Sequence, residues 1–390
     1  MPSSRRSHKR GGDAGEVLGD GGELIVQQSF AAPRPTTNPY LVLLAESLAV
    51  QPGISVRTFS WPGALFGRYD VFHLHWPDVL ITGSGPVKSF GRGVLTALLL
   101  LRLRMTGVPL VRTLHNPAPH STLTRGQRAL LERIDAQTEL FICLNAEPPP
   151  QPGRPYEVIL HGHYRDWFAR VAHAAAVGAV PVPGRLAFVG HILPYKGVTQ
   201  LVDAFRTAGR VRAAGDAPAM SLHVAGQPRT PELEAQLRRL AELDSRVTLD
   251  LRFVGDAEFI AVVTAAEVVV LPYHELHNSG AVLAALSLDR PVLVPANPVT
   301  DALCAEVGPG WVYRYDGPLS AETLERALRQ IEPSDDRGSS PSHYSPAVSL
   351  ASSTHVGRHE HPDLSRRDWA DAGARHVAAY RRALALRGAS

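Results

Sequence analysis

The chain has 390 residues, a length that suits two ordinary domains better than one. Its 40 Lys and Arg residues against 37 Asp and Glu residues give a formal net charge of +3, which is too small to indicate a nucleic-acid-binding protein. The most apolar stretch, residues 94–103, is about half as long as a membrane-spanning helix, and the presence of only two cysteines is typical of a reduced, cytoplasmic protein.

Residues 1–21 are basic, lack the apolar core of a secretion signal and are predicted to be a disordered leader. The first half, residues 22–165, alternates short apolar strands with helical stretches, a pattern that predicts a parallel sheet covered by helices on both faces. The predicted strands are 23–28, 54–59, 70–75, 110–114, 140–144 and 157–160, and the predicted helices are 40–50, 87–104 and 125–136.

The helix predicted over residues 87–104 mixes leucine with arginine. One interpretation is an ordinary buried helix with exposed arginines. The other is a basic, apolar surface that contacts the inner face of a membrane, where a lipid-linked acceptor would be found.

Residues 166–184 are rich in proline, glycine and alanine and are predicted to be a linker. A second alternating series occupies residues 185–332, so the chain is predicted to be an α/β protein with two facing Rossmann-like domains and a cleft between them. Residues 333–365 have the composition of a disordered segment, and a helix over 366–388 is predicted to return to the first domain. The second series has predicted strands at 186–189, 221–225, 247–253, 268–271 and 292–294, and helices at 198–207, 232–243, 257–264 and 321–331.

Two loops of the second half have the residues of an anion site. The sequence FVGHILPYKGV ends a strand and begins a helix, so Gly190 allows close approach to the main chain and Lys196 places a cation beside a helix amino terminus. In LPYHELHNSGAV, the residues Asn278, Ser279 and Gly280 lie between another strand and the next helix. Free N–H groups and the helix dipole favour phosphate at such a position.

Two loops of the first half contain histidine. The sequence RYDVFHLHWPD places His73 and His75 on one face of a strand, where they are predicted to line the cleft with Trp76 and Asp78 beside an acceptor sugar. A buried structural pair is the alternative, and a metal pair lacks a third ligand at a suitable spacing. The sequence VRTLHNPAPH adds His115 and Asn116 at the end of another strand, although a histidine there also suits a turn cap.

The second-half segments FVGHILPYKGV, LHVAGQP, FVGD and LPYHELHNSGAVLAALSLDRPVLVP resemble the donor-binding half of GT-B nucleotide-sugar glycosyltransferases. More narrowly, they resemble the bacterial Glu-x7-Glu-related (family 4-like) group that builds exopolysaccharides and glycolipids. The resemblance covers residues 185–300 well. It implies that Lys196 contacts the donor diphosphate, that the loop 275–280 holds the sugar and phosphates, and that His115 faces the donor sugar.

The resemblance has three departures. His191 replaces an arginine that many relatives have after the first loop glycine, and histidine is a weaker and pH-dependent cation. Ala284 replaces the second glutamate of the family pair. Glu275, which would be the catalytic glutamate, lies one place from the position expected for the first glutamate.

The function implied is transfer of a hexose from a GDP- or UDP-linked sugar to a glycan or glycolipid acceptor. We expect no obligatory metal or other cofactor, because Lys196, His191 and the 278–280 loop would neutralise the leaving diphosphate. Inversion at the sugar would need a base, either Asp78 or His115, whereas retention would depend on donor phosphate and main-chain groups. A sugar-nucleotide epimerase and a non-catalytic partner in polysaccharide assembly are the alternatives.

Overall fold

The structure is a computed structural model that describes residues 23–34, 37–115, 123–147, 149, 152–175, 180–208, 219–274, 276–331 and 361–389. These residues form two parallel sheets of six strands, each covered by helices. The prediction of an α/β protein with two Rossmann-like halves is therefore confirmed.

The first sheet has the strand order β2-β1-β3-β4-β5-β6. Nearly all side chains of β1, β3, β4 and β5 are buried, as expected for strands with helices on both faces. The strands are β1 (Leu24–Gln28), β2 (Ile54–Arg57), β3 (Val71–Leu74), β4 (Leu110–Leu114), β5 (Thr138–Cys143) and β6 (Tyr156–Val158). The helices are α1 (Pro39–Ala49), α2 (Trp61–Phe66), α3 (Pro77–Ile81), α4 (Pro86–Thr106), α5 (Arg125–Gln137) and α6 (Arg165–Ala175).

The second sheet has the order β12-β11-β10-β7-β8-β9. Its strands are β7 (Arg185–Val189), β8 (Ser221–Ala225), β9 (Val247–Asp250), β10 (Val268–Val270), β11 (Val292–Pro295) and β12 (Val312–Tyr315). Its helices are α7 (Val198–Thr207), α8 (Pro231–Ala241), α9 (Asp256–Ala265), α10 (Gly280–Ser287), α11 (Pro298–Val307) and α12 (Ala321–Ile331).

The order of strands in each sheet reverses at one point. In the first sheet the reversal lies between β1 and β3, and in the second it lies between β10 and β7. Loops that leave the carboxyl ends of two such strands diverge, which opens a crevice where ligands bind in open α/β sheets. The topology therefore directs attention to the loops after β1 and β3 and to those after β7 and β10.

The last helix, α13 (Trp369–Gly388), returns to the first half and packs against α1 and β5, as predicted. Gly373 permits this approach, because a Cβ there would lie 2.6 Å from the carbonyl oxygen of Ser47 in α1. Residues 361–368, which lead into α13, also contact the second half. The returning helix therefore connects both halves of the molecule.

The stretch predicted to be a linker, 166–184, differs from expectation because its first ten residues are all helical, in α6. Phe168 of this helix stacks on Phe259 of α9 with ring centroids 5.6 Å apart, so α6 packs against the second half. The domain limits at 165, 184 and 332 stay predictions. The predicted leader, 1–21, and residues 333–360 of the predicted disordered segment lie outside the described residues, whereas 361–365 are described.

None of the helices in the described part of the chain combines the length and the apolar character needed to cross a bilayer.

Candidate active site

A sharp turn follows the carboxyl end of β7. The chain passes through Gly190, with φ 126°, into a single 3-10 turn, Pro194–Lys196. Gly197 follows with φ 65°, and a Cβ at this position would lie 2.3 Å from the carbonyl oxygen of Pro272. Only glycine is compatible with both the conformation and the contact, which hold the turn against the end of β10.

Lys196 and Ser279 lie on the same side of the second sheet and share a neighbour, Tyr273. The Lys196 Nζ atom is 5.1 Å from the centroid of the Tyr273 ring. The Tyr273 hydroxyl lies beside the Ser279 side chain, whose Oγ accepts a hydrogen bond from the main-chain N–H of Val282 in the first turn of α10. A cation and the amino terminus of a helix therefore converge at the reversal of the second sheet, an arrangement suited to a diphosphate.

His191 has two cationic neighbours, Lys196 and Arg229. Burial lowers the pKa of Lys196 to about 8, so its amine is mostly charged at pH 7. Partial burial, with Lys196 and Arg229 as neighbouring cations, lowers the pKa of His191, so this ring is neutral at pH 7. Arg229 was not predicted from the sequence, although it follows a strand and a glycine, as Lys196 does.

Asn278 is predicted to bind the donor, but its side chain joins the two halves of the protein. Its Nδ2 donates to the carbonyl oxygens of Leu114 at 3.3 Å and His115 at 3.1 Å. Its Oδ1 accepts a hydrogen bond of 3.0 Å from Asn145 Nδ2. Gly280 faces Tyr164, because a Cβ on Gly280 would lie 3.1 Å from the Tyr164 hydroxyl. Asn278 therefore acts first as an interdomain contact.

His75, His115 and Trp76 form a close group at the reversal of the first sheet. A hydrogen bond of 3.2 Å joins His75 Nδ1 to His115 Nε2, and the His115 ring stacks on Trp76 with centroids 3.9 Å apart. Burial, the larger cause, and the neighbouring cationic forms of His75, His161 and Arg112 hold the pKa of His115 well below its usual range. His115 is thus a neutral imidazole at pH 7, the form that accepts a proton.

His73 corrects the predicted acceptor site. Its side chain is completely buried, and its two ring nitrogens are 2.8 Å from Thr113 Oγ1 and 2.8 Å from the Tyr380 hydroxyl. Both nitrogens are occupied within the protein, so the ring has no group left for a sugar. His73 therefore fits the alternative of a buried structural histidine, whereas His75 and Trp76 line a cavity.

Asp78, the other predicted base, lies in the first turn of α3. Its carboxylate interacts electrostatically with Arg112, which forms an ion pair with Asp135. Arg112 and Thr113 are consecutive in β4 and point to opposite faces of the sheet, and Thr113 is on the face that carries His73. His115 is the predicted base that stacks on Trp76. Glu275 and Asn116 lie outside the described residues.

A cavity of about 430 Å³ lies at the reversal of the first sheet. Aromatic rings form much of its wall, and they suit the apolar face of a pyranose. Two arginines offer positive charge to the same space. The cavity is lined by residues that follow β1, β2 and β3 and by one residue of α4, among them Phe30, Arg34, Phe59, Trp61, His75, Trp76 and Arg92.

A larger cavity of about 770 Å³ lies between the halves, on the side of α11 and α13. Its wall includes Asn145, Asn278 and Ser279, so it reaches the start of α10. Within the described ranges, no group of three or more His, Cys, Asp or Glu side chains has the arrangement of a metal site. The expectation that no metal is required stays a prediction.

Comparisons with known proteins agree with this geometry. Residues 183–329 match the family described as Glycosyl transferases group 1. A GDP-mannose:glycolipid 4-beta-D-mannosyltransferase of Xanthomonas campestris pv. campestris is 41% identical over 364 residues, 93% of each chain. In fold, the chain is similar to the catalytic domain of starch synthase IV from Arabidopsis thaliana, with TM-score 0.59, 10% identity and coverage of 94% and 100%. It is also similar to sucrose-phosphate synthase from Thermosynechococcus elongatus, with TM-score 0.54, 14% identity and coverage of 79% and 89%.

Proposed function

Since the chain belongs to the group 1 glycosyltransferase family, we propose that it transfers mannose from GDP-mannose to a glycolipid and forms a 4-β-D linkage. One observation carries the proposal: the similarity to the Xanthomonas mannosyltransferase extends over 93% of both chains, so it includes the donor half and the acceptor half. The cations at the reversal of the second sheet support a diphosphate donor, and the aromatic cavity of the first half supports a sugar acceptor.

A β-linked product implies inversion, because mannose is attached to GDP through an α bond. Inversion in one displacement needs a base that removes the proton of the acceptor hydroxyl as its oxygen bonds to C1. His115 is neutral and contacts Trp76, which lines the acceptor cavity. The C1–oxygen bond to the diphosphate breaks with its electron pair, and Lys196 and Arg229 stabilise the charge that develops on GDP.

We expect replacement of Lys196 by alanine to weaken GDP-mannose binding about tenfold to a hundredfold, the cost of one hydrogen bond to a charged group. Titration calorimetry with GDP-mannose measures this change. Transfer of radiolabel from GDP-mannose into a total lipid extract of the source cells measures the reaction itself. A Lys196→Ala protein that binds GDP-mannose with the affinity of the parent would refute the role of Lys196. A parent protein that moves no label into lipid would refute the transfer reaction.

Lys196→Arg is the matched control, because arginine remains charged throughout the accessible pH range. The amine of Lys196 is charged below its pKa of about 8 and loses its charge as the pH rises through that value. Affinity of the parent for GDP-mannose should therefore fall between pH 7 and pH 9 more steeply than that of Lys196→Arg. Parallel curves for the two proteins would contradict the assignment of Lys196 to the diphosphate.

The outer face of α4 supports contact with a membrane, the second interpretation of this helix. Six large apolar side chains at helical spacing are between 43% and 85% exposed: Val87, Phe90, Val94, Leu98, Leu101 and Met105. Lys88 and Arg104 are exposed on the same helix. Arg92 lies on the opposite side of α4 from these six side chains and lines the acceptor cavity, so the helix lies between the cavity and the apolar face. A glycolipid could keep its chain in the bilayer while its sugar enters the cavity.

We expect the double variant Phe90→Ser, Met105→Ser to bind anionic lipid vesicles at least about tenfold more weakly than the parent, because burial of each side chain contributes about 1.5–3 kcal/mol. Sedimentation with vesicles of phosphatidylglycerol and phosphatidylcholine measures the partition. Val50→Ser is the control, since Val50 is 74% exposed but lies at the end of α1. Equal binding by all three proteins would exclude α4 as the contact surface.

A further inference from the structure

A chain of buried hydrogen bonds continues from His115 into the core of the first half. His115 Nε2 is 3.2 Å from His75 Nδ1, and His75 Nε2 is 3.1 Å from Gln28 Oε1. His75 is 2% exposed and Gln28 is completely buried. Both ring nitrogens of His75 therefore have partners within the protein: Nδ1 pairs with His115, and Nε2 pairs with the side-chain carbonyl of Gln28.

The amide nitrogen of Gln28 continues the chain in the other direction. Gln28 Nε2 donates to the Tyr380 hydroxyl at 3.3 Å, and this hydroxyl is 2.8 Å from His73 Nδ1. The remaining nitrogen of His73 is 2.8 Å from Thr113 Oγ1. Since Tyr380 accepts a proton from the amide, its own proton is directed to His73. In this arrangement the carbonyl oxygen of the Gln28 amide is directed towards His75.

The positions of the protons follow from the orientation of this amide. A carbonyl oxygen only accepts, so His75 carries its proton on Nε2 and leaves Nδ1 bare. His75 Nδ1 then accepts the Nε2 proton of His115, and Nδ1 of His115 has no proton. Rotation of the Gln28 amide by half a turn would reverse every bond and place a proton on His115 Nδ1. Gln28 is therefore the group that selects the tautomer.

We propose that Gln28 and His75 are positioning residues that hold His115 in the tautomer with a bare Nδ1, ready to take the proton of the acceptor hydroxyl. The inference rests on the proposed function, since it concerns the base of that reaction. The acceptor oxygen bonds to C1 of mannose, its proton moves to His115 Nδ1, and the bond to GDP breaks with its electron pair. The imidazolium that forms on His115 keeps its Nε2 proton and continues to donate a hydrogen bond from Nε2 to His75 Nδ1.

Other groups that surround this pair are neutral or cationic. None of the described residues that affect the pKa of His75 or His115 is a carboxylate, so burial and positive neighbours act in the same direction. Burial, followed by His376, lowers the pKa of His75 to about 3. The titratable and charged groups facing the pair are Tyr40 of α1, His73 and Arg112 of the sheet, His161 after β6, and His376 and Tyr380 of α13.

Gln28→Glu tests the proposal with a side chain of the same shape. A carboxylate only accepts, so the variant keeps the bare Nδ1 of His115 and remains active. Its negative charge stabilises the imidazolium, so the pH below which kcat/KM falls should rise by about one unit or more. The measurement is GDP release from GDP-mannose in the presence of the lipid extract, from pH 4 to pH 9.

Gln28→Leu removes the group that selects the tautomer, and we expect kcat to fall about tenfold or more while KM for GDP-mannose stays within about twofold. Gln27→Leu is the matched control. Gln27 is the adjacent buried glutamine of β1, and its Nε2 donates to the main-chain carbonyls of Gln28, Arg57 and Thr58. Its loss should lower stability and leave the pH profile in place.

An active Gln28→Glu protein whose pH profile coincides with that of the parent would overturn the positioning role of Gln28 and His75. It would leave the proposed transferase activity intact. The same holds for a folded Gln28→Leu protein with the kcat of the parent. Failure of the parent to transfer mannose to lipid would instead overturn the proposed function, so the two failures are distinguishable.

Discussion

Replacement of His115 by alanine should lower kcat about a hundredfold to ten-thousandfold, the usual contribution of a positioned general base. The structure supports this role because the ring is buried, stacks on Trp76 and hydrogen-bonds to His75. The pKa of His115 lies well below the ordinary imidazole value, so in the free enzyme the ring is still an unprotonated base at pH values where an ordinary histidine is protonated. Steady-state rates with GDP-mannose and the lipid extract measure the effect, which should appear in kcat rather than in the KM for the donor.

His223→Ala is the control for the loss of a histidine. His223 hydrogen-bonds to Asp250 at 2.8 Å at the partly exposed edge of the second sheet, remote from the acceptor cavity in sequence and topology. A second variant, His115→Gln, keeps the bulk of the ring and guards against misfolding. If both His115 variants transferred mannose within about threefold of the parent, the base would have to be another residue.

Replacement of Arg367 by methionine should destabilise the protein by about 3–5 kcal/mol. Its guanidinium forms two bonds to Glu306, with Nε–Oε1 at 2.6 Å and Nη2–Oε2 at 2.8 Å, and both side chains are less than 10% exposed. A third bond of 3.1 Å runs from Nη1 to the carbonyl oxygen of His161. The variant leaves a buried carboxylate without its partner, and unfolding in urea measures the loss.

Two controls separate burial from charge. The pair Arg367→Met, Glu306→Leu removes both charges, so most of the stability should return. Arg238→Met removes a pair with Glu234 on the surface of α8 and should cost no more than about 1 kcal/mol. Equal losses for Arg367→Met and Arg238→Met would show that the buried pair contributes no more than a surface pair.

The sequence predicts the sheets well, because a strand buried on both faces is a continuous apolar run between turns. Strands β4 and β8 and helices α7 and α12 begin and end at the predicted residues. Of the helices in the described ranges that were not predicted from the sequence, which are α2, α3, α6 and α11, three share a feature. Helices α2, α3 and α11 each have proline in the first two positions, where its missing N–H costs nothing, but proline in a sequence resembles a turn.

The candidate site is only partly predictable from the sequence. Local spacing is sufficient to place Lys196 and His115 in loops at the ends of parallel strands, and their roles in the reaction stay predictions. The partner of His73 is Tyr380, which is 307 residues away, and the partners of Asn278 belong to the other half. Only the packing of α13 and the approach of the halves bring these groups together. The choice between a transferase and an epimerase likewise depended on the relatives rather than on the residues.

The amide of Asn278 has a consequence for the timing of catalysis. One of the oxygens that it holds is the carbonyl of His115 itself, so in the proposed reaction the contact between the halves also fixes the main chain of the proton acceptor. The contact at Asn278 consists of hydrogen bonds between neutral groups, and it therefore separates at low cost in free energy when the products leave. An open molecule would therefore hold GDP-mannose beside a base that is not yet aligned, and water would be a poor substrate until the halves meet.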